Sequence, residues 1–364
     1  MSNHTTARAH IARMAPYTLA DFDIPTGQRL ISLAQNESLR APSPQVALAV
    51  SKNLKQMALY PDPDWSDLRA ALAQLHNLDE ATILCGAGSM ELIQCLAHVW
   101  LDSTATVLTT QYAYAFINTV AAYTNANIRR VEEKAFTVTV DDLVDAADDN
   151  TTMIFLANPG NPTGTRIPRL EIRRLRDSIA PETLLVIDEA YAEFSDQHDD
   201  YLFDLTTTTQ TVVLRTFSKA YGLAGLRVGW GVFEPTIGEQ VRKLLNPNNI
   251  SALSQVAATA CVEDQAYMLE TCKQTSVLRN TLIEKVKAAG LQPPISHTNF
   301  ILLPFDSAKA ASQVDTAMRQ HGMVMRNMAG YDLPQCQRLT VVNQDDMTAV
   351  QDTLLSTLSE CITL

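Results

Sequence analysis

A lysine flanked by hydroxyls, glycines and an arginine makes residues 216–229 the most chemically suggestive segment of the chain, Thr-Phe-Ser-Lys-Ala-Tyr-Gly-Leu-Ala-Gly-Leu-Arg-Val-Gly. A lysine amine is a nucleophile only when neutral, and burial beside a cation such as Arg227 lowers its pKa enough for Schiff-base formation. Thr216, Ser218 and Arg227, with loop amides, could bind a phosphate dianion. The segment therefore predicts a Schiff-base lysine at Lys219 unless that lysine is a solvated loop residue.

A carboxylate and a tyrosine follow a second predicted strand, at 184–187. Asp188 and Tyr191 would then lie at the carboxyl end of a sheet strand, where α/β proteins place ligands. Pyridoxal phosphate withdraws electrons only while its ring nitrogen stays protonated, and a buried carboxylate keeps it so. Tyr191 could donate to the phenolate oxygen of that ring. A strand-ending aspartate also commonly caps a turn or helix, so both functions stay open for Asp188.

Three further segments follow predicted strands. Residues 158–164, Asn-Pro-Gly-Asn-Pro-Thr-Gly, could hold the Asn161 amide against the same phenolate oxygen or merely connect a strand to a helix. Tyr112 and Tyr114, which follow a strand predicted at 106–110, could stack on a flat ring or pack in the core. Residues 86–88, Gly-Ala-Gly, precede a helical pattern whose N-terminus could bind a phosphate.

The fold class is indicated by apolar runs at 153–157, 184–187 and 212–214, which alternate with helical patterns. This rhythm predicts an α/β fold with a mostly parallel central sheet covered by helices. After about residue 260 the pattern changes to a long helix, a strand at 299–303, another helix and a strand at 338–342. That mixture predicts a smaller α+β domain.

Composition restricts the class of protein. The 364 residues contain 28 Lys and Arg against 40 Asp and Glu, a net charge of −12, which disfavours nucleic acid and anionic membranes as partners. The first twenty residues lack a signal-peptide pattern, and no apolar run is long enough to span a membrane, so we expect a soluble cytoplasmic protein.

Cysteine and histidine patterns give no sign of a disulfide framework or a metal site. The six cysteines, at 85, 95, 261, 272, 336 and 361, include no Cys-x-x-Cys pair and are expected to be reduced core thiols. The Asp and His cluster at 196–200 is expected to be a solvated loop rather than a metal site. We therefore expect no metal.

Taken in order, these segments resemble the fold type I aminotransferases, and most closely the histidinol-phosphate aminotransferase family. The resemblance spans nearly the whole chain, and Asp188 and Lys219 are each expected to end a strand. It departs from the family pattern at Ser38, Leu39 and Val342. The motifs that carry it are Pro16-Tyr17, Asn36-Glu37, Pro42-Ser-Pro44, Tyr60-Pro-Asp62, Gly86-Ala-Gly-Ser89, the segments around Asn161, Asp188 and Lys219, and Arg338-Leu-Thr340.

The resemblance implies pyridoxal 5'-phosphate as cofactor and assigns its contacts. Lys219 would form the Schiff base and shuttle the proton, and Asp188 would pair with the ring nitrogen. Asn161 and Tyr191 would bind the phenolate oxygen, and Tyr114 would stack on the ring. The implied phosphate contacts are Ala87, Gly88, Thr216, Ser218 and Arg227, with Tyr60 reaching across from a second subunit of a homodimer with shared active sites.

The resemblance also implies the substrate contacts. Arg338 would clamp a substrate carboxylate or, in histidinol phosphate, leave room for its alcohol. Arg326 would hold the substrate phosphate, Tyr17 would line that end of the site, and Asn36 would complete the substrate contacts. The implied division is an N-terminal arm with part of the small domain at 1–38, a large cofactor domain at 39–260 and a small domain at 261–364.

The implied activity is transamination between a small-molecule amino donor and a 2-oxo acid in two half-reactions, for which ping-pong kinetics are expected. Histidinol phosphate with 2-oxoglutarate, in histidine biosynthesis, is the favoured pair. An aromatic amino-acid aminotransferase and an amino-acid phosphate decarboxylase of the same fold are the alternatives. A transcription regulator with this fold would need an N-terminal DNA-binding domain, which the start of the resemblance at Pro16 and the acidic charge disfavour.

Overall fold

Two β-sheets organise the molecule. The structure, a computed structural model, describes residues 6–16, 21–195 and 202–362. Within these residues the strands in chain order are β1 (Ile31–Leu33), β2 (Ile83–Gly86), β3 (Thr106–Thr110), β4 (Asn127–Val131), β5 (Thr151–Ala157), β6 (Leu184–Asp188), β7 (Thr211–Thr216), β8 (Gly229–Phe233), β9 (Phe300–Pro304), β10 (Met323–Asn327) and β11 (Cys336–Thr340).

Helices connect most of these strands and cover the sheets. Ser43 begins one of them by accepting a hydrogen bond from Gln45 N–H, as an N-cap residue does. The described helices are α1 (Ala9–Ala12), α2 (Pro44–Asn53), α3 (Ser66–His76), α4 (Ser89–Trp100), α5 (Phe116–Thr124), α6 (Val140–Ala146), α7 (Arg169–Ser178), α8 (Leu205–Thr208), α9 (Pro235–Arg242), α10 (Ala252–Glu263), α11 (Gln265–Ala288), α12 (Ala308–Gln320) and α13 (Gln344–Ile362).

The larger sheet has seven strands in the order β2-β8-β7-β6-β5-β3-β4. Strand β8 runs antiparallel to both of its neighbours, and every other pair in the sheet is parallel. Each residue of β2, β6, β7 and β8 is buried. Since successive side chains point to opposite faces, both faces of these strands are covered, as in parallel sheets flanked by helices. The predicted α/β architecture is confirmed.

The smaller sheet has four strands in the order β1-β10-β11-β9. Strand β1 pairs parallel with β10, and the other pairs are antiparallel. The smaller sheet packs against α11, α12 and α13 in a second hydrophobic core, which is separate from the core of the larger sheet. An N-terminal segment thus completes a sheet otherwise built from the last third of the chain.

The two cores support the predicted division of the chain, which stays a prediction. The predicted boundary at 260 falls inside α10, whose Cys261 and Val262 still pack in the core of the larger sheet. The break between α10 and α11 lies at Asp264, whose carboxylate accepts a hydrogen bond from Ser43 at 2.5 Å.

Strand positions agree with the sequence patterns within a few residues, and β3 matches the strand predicted at 106–110. The expectation that Lys219 directly ends a strand is wrong, because β7 ends at Thr216. There the Ser218 N–H donates to Thr216 Oγ1 at 3.1 Å, which turns the chain away from the sheet. Lys219 therefore stands on the loop beyond the strand.

Three global features concern partners and chemistry. Among the described helices, none combines the length and the apolar character that a membrane crossing demands. Cys85, Cys95, Cys261, Cys272 and Cys336 are free and buried, which confirms the expected core thiols for those five. No three His, Cys, Asp or Glu side chains in the described residues group as metal ligands, and the cluster at 196–200 lies outside those residues.

Candidate active site

A cavity of about 620 Å³ lies where the carboxyl ends of β5, β6 and β7 face the smaller sheet. Parallel strands place their carboxyl ends along one edge, so residues remote in sequence meet there. Its lining consists of Ala34, Gln35, Asn36, Glu37, Ser89, Met90, Tyr114, Ala157, Pro159, Asn161, Asp188, Ala190, Tyr191, Thr216, Ser218, Lys219, Ala224, Gly225, Arg227, Arg326, Tyr331 and Arg338.

Most of the predicted site residues line this one cavity. Ala87 and Gly88 lie just behind it, at the start of α4, and Tyr60 lies on the surface with 88% of its area exposed. Tyr17 lies outside the described residues. The predicted residues in the lining are Asn36, Tyr114, Asn161, Asp188, Tyr191, Thr216, Ser218, Lys219, Arg227, Arg326 and Arg338.

Lys219 is held at the floor of the cavity. Its Nζ donates to the Gln35 carbonyl at 3.2 Å and lies 5.9 Å from the centre of the Tyr191 ring. Burial, assisted by the positive charges of Arg338 and Arg227, lowers the pKa of Lys219 to about 8. The neutral, nucleophilic fraction of this amine near neutral pH is therefore much larger than that of an ordinary lysine.

Asp188 is the buried carboxylate of the site, at 5% exposure. Its Oδ1 accepts a hydrogen bond from Ala190 N–H at 3.1 Å. Burial is the main reason that the pKa of Asp188 rises to about 7, and the neighbouring Glu189 charge adds to the rise. A cation or a protonated ring nitrogen placed against Asp188 would restore its charged form.

Behind Asp188 lies a buried group of charges. Glu189 is 1% exposed and its carboxylate binds Arg215, with Nη2 to Oε2 at 2.6 Å and Nε to the same oxygen at 2.9 Å. Arg215 Nη1 also contacts Glu193 Oε1 at 3.1 Å. Arg215 precedes Thr216 on β7, and Glu189 directly follows Asp188, the last residue of β6. The ion pair therefore links the two strand ends that present the site.

One end of the cavity is built for an anion. Arg227 Nη1 donates to Ser218 Oγ at 3.2 Å, and Thr216 Oγ1 lies 3.0 Å from the same oxygen. Gly88 has φ +78°, and a Cβ there would lie 2.3 Å from Arg227 Nη2. Only glycine allows the guanidinium to approach the start of α4, whose first N–H groups have no partners within the helix.

This donor set fits a phosphate monoester, since it combines a guanidinium, two hydroxyls and a helix N-terminus. Within it, the Ala87 N–H donates to Glu91 Oε2 at 2.6 Å. The Gly88 N–H donates to the Gly86 carbonyl at 2.7 Å, so an anion would bind the first amides of α4 itself.

The opposite wall is formed by arginines of the smaller sheet. Arg326 of β10 lies directly across from Arg338 of β11, so the two side chains share one face of the sheet and both line the cavity. Arg338 Nη2 donates to the Ala34 carbonyl at 2.7 Å, and Nη1 donates to Asn161 Oδ1 at 2.5 Å. Like charges directly opposite repel, so this wall favours binding of an anion.

Some lining residues were missed by the sequence analysis. Glu37 and Gly225 lie in motifs named above but were given no role, whereas Met90 and Tyr331 carried no local signal that separates them from ordinary surface or core residues. Tyr331 belongs to a single 3₁₀ turn between β10 and β11, and only the pairing of these strands brings it to the cavity.

A parallel sheet that presents a partly neutral lysine, a buried carboxylate and an anion cradle at one edge defines the fold type I class of aminotransferases. The family described as "Aminotransferase class I and II" matches residues 28–354, and the chain belongs to this family. The resemblance stated from the sequence motifs is thereby confirmed.

Relatives and solved structures agree. The chain is 34% identical over 350 residues to histidinol-phosphate aminotransferase of Ruegeria pomeroyi, covering 96% of this chain and 97% of the relative. It is 35% identical over 350 residues to the same enzyme of Nitrobacter winogradskyi, covering 94% and 96%. Histidinol-phosphate aminotransferase of Sinorhizobium meliloti, solved in complex with pyridoxal-5'-phosphate, is similar with a TM-score of 0.90, 25% identity and 99% coverage of both chains.

The raised pKa of Asp188 predicts a pH-dependent cost of folding in the ligand-free protein. The pKa of this carboxyl is about 4 in the unfolded chain and about 7 in the folded one. Between these values the folded protein binds the proton more tightly, so the stability that Asp188 contributes below pH 4 is lost as the pH rises through 7. Asp188→Asn should therefore raise the free energy of unfolding at pH 8, by about 2–4 kcal/mol at 1.36 kcal/mol per pKa unit, and change it little at pH 4.

Urea unfolding of the ligand-free protein at both pH values measures this effect. Asp149→Asn is the matched control, because Asp149 is exposed and should give no pH-dependent difference. An equal change for Asp188→Asn at both pH values would contradict the prediction.

Proposed function

We propose that this protein is a pyridoxal 5'-phosphate-dependent aminotransferase that moves the amino group of histidinol phosphate to 2-oxoglutarate, a step of histidine biosynthesis. The observation that carries the proposal is the cavity itself. It combines a lysine whose pKa is lowered to about 8, a buried Asp188 and two facing arginines. The names of the similar enzymes support the same activity and substrate.

The proposed cofactor contacts are residues that line the cavity. Lys219 would bind the cofactor carbonyl carbon, and Asp188 would accept the ring N–H. Asn161 and Tyr191 would contact the ring oxygen, with Tyr114 against the ring face. The proposed phosphate contacts are the first amides of α4, Thr216, Ser218 and Arg227. The predicted Ala87 and Gly88 lie beside them at the start of the helix, where their own N–H groups already have acceptors.

Pyridoxal phosphate, when bound, supplies an electron sink for the negative charge that develops on the substrate carbon as it loses a proton. Lys219 Nζ, with its lowered pKa and its place at the floor of the cavity, can accept the proton from that carbon and return it at a second position. Asp188, as a carboxylate, would accept the hydrogen bond from the ring nitrogen. Arg338 would orient the acceptor.

The facing arginines explain how one cavity serves two substrates in turn. Arg338, already oriented by the Ala34 carbonyl and by Asn161, would bind the carboxylate of the 2-oxo acid. Arg326 would bind the phosphate of the amino donor, with Tyr17 and Asn36 as the other predicted substrate contacts. Because both substrates would react at the same cofactor carbon beside Lys219, each must leave before the other binds.

We also propose a homodimer with shared active sites. Tyr60 is 88% exposed and follows a 3₁₀ helix at Leu54–Ala58, in which Met57 is also exposed, as is Leu59 just after it. Such a run of exposed apolar side chains is typical of an interface. Tyr60 would reach the phosphate of the partner's site. A cytoplasmic location stays a prediction.

The lysine assignment is tested by Lys219→Ala. Without Nζ no covalent link to the cofactor forms, so the visible absorbance should lose its pH dependence and turnover should nearly vanish. In the wild type, glutamate and then candidate ketones should convert the cofactor spectrum and restore it. Borohydride reduction and peptide mapping should place the label on Lys219. Lys243→Ala, at an exposed lysine, is the control, and a label found on Lys243 would contradict the assignment.

Substrate choice is tested by Arg326→Ala. Loss of a desolvated contact to phosphate costs about 2–5 kcal/mol. At ~1.4 kcal/mol per decade, kcat/KM for histidinol phosphate should fall roughly thirty-fold to a few thousand-fold. Unphosphorylated aromatic amino acids should be nearly unaffected. Arg29→Ala, at an exposed arginine, is the control. Equal losses on both substrates would favour the aromatic aminotransferase.

Shared sites are tested by pairing two defective chains. A Tyr60→Ala dimer should bind cofactor about tenfold to a hundred-fold more weakly, as expected for a lost hydrogen bond to a charged group. Coexpression of Tyr60→Ala with Lys219→Ala should restore activity at limiting cofactor, because one site of each hybrid dimer has both residues intact. No recovery in a verified hybrid, or a fully active monomer by light scattering, would contradict the proposal.

A further inference from the structure

Strand β11 is connected to the cavity by two hydrogen-bonded paths. Arg338 and Thr340 lie two residues apart on β11 and therefore point to the same face. Arg338 donates directly to Asn161 Oδ1. Thr340 reaches Tyr191 through the side chain of Asn36. Each of the two residues proposed to contact the cofactor ring oxygen thus has its own connection to this strand.

The second path has a fixed direction. The Asn36 backbone N–H donates to Thr340 Oγ1 at 3.0 Å, which occupies that hydroxyl as an acceptor. The Thr340 hydroxyl proton is donated to Asn36 Oδ1 at 3.2 Å. Because the amide oxygen then faces Thr340, the Nδ2 group faces Tyr191 and donates to its Oη at 2.9 Å. The single hydroxyl of Thr340 therefore decides the orientation of the amide.

The orientation of the amide decides what Tyr191 can do. Its oxygen accepts from Asn36, so its own proton remains available to an acceptor in the cavity. Donors and acceptors in such a chain polarise one another, which strengthens the last donor. Burial raises the pKa of Tyr191 to about 12, so the hydroxyl keeps its proton at neutral pH. The charged and titratable groups around it are Arg338, Asp188, Tyr331 and Lys219.

The backbone of Asn36 has a second anchor besides its hydrogen bond to Thr340 Oγ1. Asn36 has φ +56°, in the left-handed region that asparagine tolerates, and is 1% exposed. Asn299 Nδ2 donates to the Asn36 carbonyl at 3.1 Å and to the Glu37 carbonyl at 2.9 Å. The backbone is thus anchored by Asn299, which leaves the side chain to connect Thr340 with Tyr191.

We infer that Thr340 and Asn36 are positioning residues that aim the Tyr191 hydroxyl at the ring oxygen of the cofactor. This inference rests on the proposed function, since it presumes the bound cofactor. Through Thr340 and Asn36 the smaller sheet would then affect the reactivity of the cofactor, in addition to binding substrate at Arg338.

Thr340→Val and Thr340→Ser test the inference, because valine matches the shape of threonine without its hydroxyl and serine keeps the hydroxyl. The readout is the pH midpoint of the visible absorbance change of the bound cofactor. A hydrogen-bond donor stabilises the negative charge of the ring oxygen, most of all once the nitrogen that joins cofactor and lysine has lost its proton. The donor therefore favours loss of that proton, and weakening the donor raises the pH midpoint. Thr340→Val should raise it by about half a unit to one unit, and Thr340→Ser should leave it nearly unchanged.

A double-mutant cycle with Tyr191→Phe shows whether Thr340 acts through the Tyr191 hydroxyl or disturbs the site as a whole. In the Tyr191→Phe background, Thr340→Val should give no further shift. Asn36→Gly is the second variant, usable if Thr340→Val does not fold, because glycine tolerates φ +56° and removes the amide. It should raise the midpoint as Thr340→Val does.

The outcomes distinguish the two proposals. A wild-type protein without a visible cofactor band would overturn the proposed function. A visible band whose midpoint is unchanged in Thr340→Val or, if that variant does not fold, in Asn36→Gly would overturn the inference alone. An equal shift in the presence and absence of the Tyr191 hydroxyl would overturn it as well.

Discussion

The parallel pairing of β5, β6 and β7 is the constraint on which the site depends. Ala157 pairs with Asp188, which in turn pairs with Leu214, so the three strands end side by side. The loop with Asn161, the carboxylate of Asp188 and the loop with Lys219 therefore emerge at one edge. A slip of one residue in β6 would turn Asp188 to the opposite face of the sheet. Complete burial of β6 and β7 fixes that register.

The same edge concentrates charge in a poorly solvated place, and the structure balances it in two ways. Glu189 is neutralised by Arg215 in a buried ion pair, which limits its repulsion of Asp188. Asp188 and Lys219 are instead both shifted toward their neutral forms by burial. The buried ion pair gives each charge an opposite partner, whereas the residues that face the cavity keep their reactivity at a cost in stability.

Sequence patterns predicted the part of the molecule whose signals are local. Buried strands, the loop around Lys219 and the carboxylate after β6 each follow from a short segment, and β3 matched its prediction. The contact of Asn36 with Thr340 joins segments 304 residues apart and leaves no such pattern. The three-residue β1, which pairs with β10, and the ion pair behind Asp188 were also beyond reach, because each depends on which distant segments pack together.

The two sheets supply different parts of the site. Asp188 ends a strand of the larger sheet and Lys219 lies on the loop after β7, whereas both arginines of the anion-binding wall stand on β10 and β11 of the smaller sheet. Arg338 is oriented before any ligand arrives by its contact with the Ala34 carbonyl, which lowers the entropy lost on binding. Changes on the β10 face that carries Arg326 can therefore alter which anion binds while the lysine and carboxylate remain in place. On β11, Arg338 contacts Asn161 and Thr340 contacts Asn36. A substitution on that face of β11 therefore changes substrate binding and cofactor reactivity together.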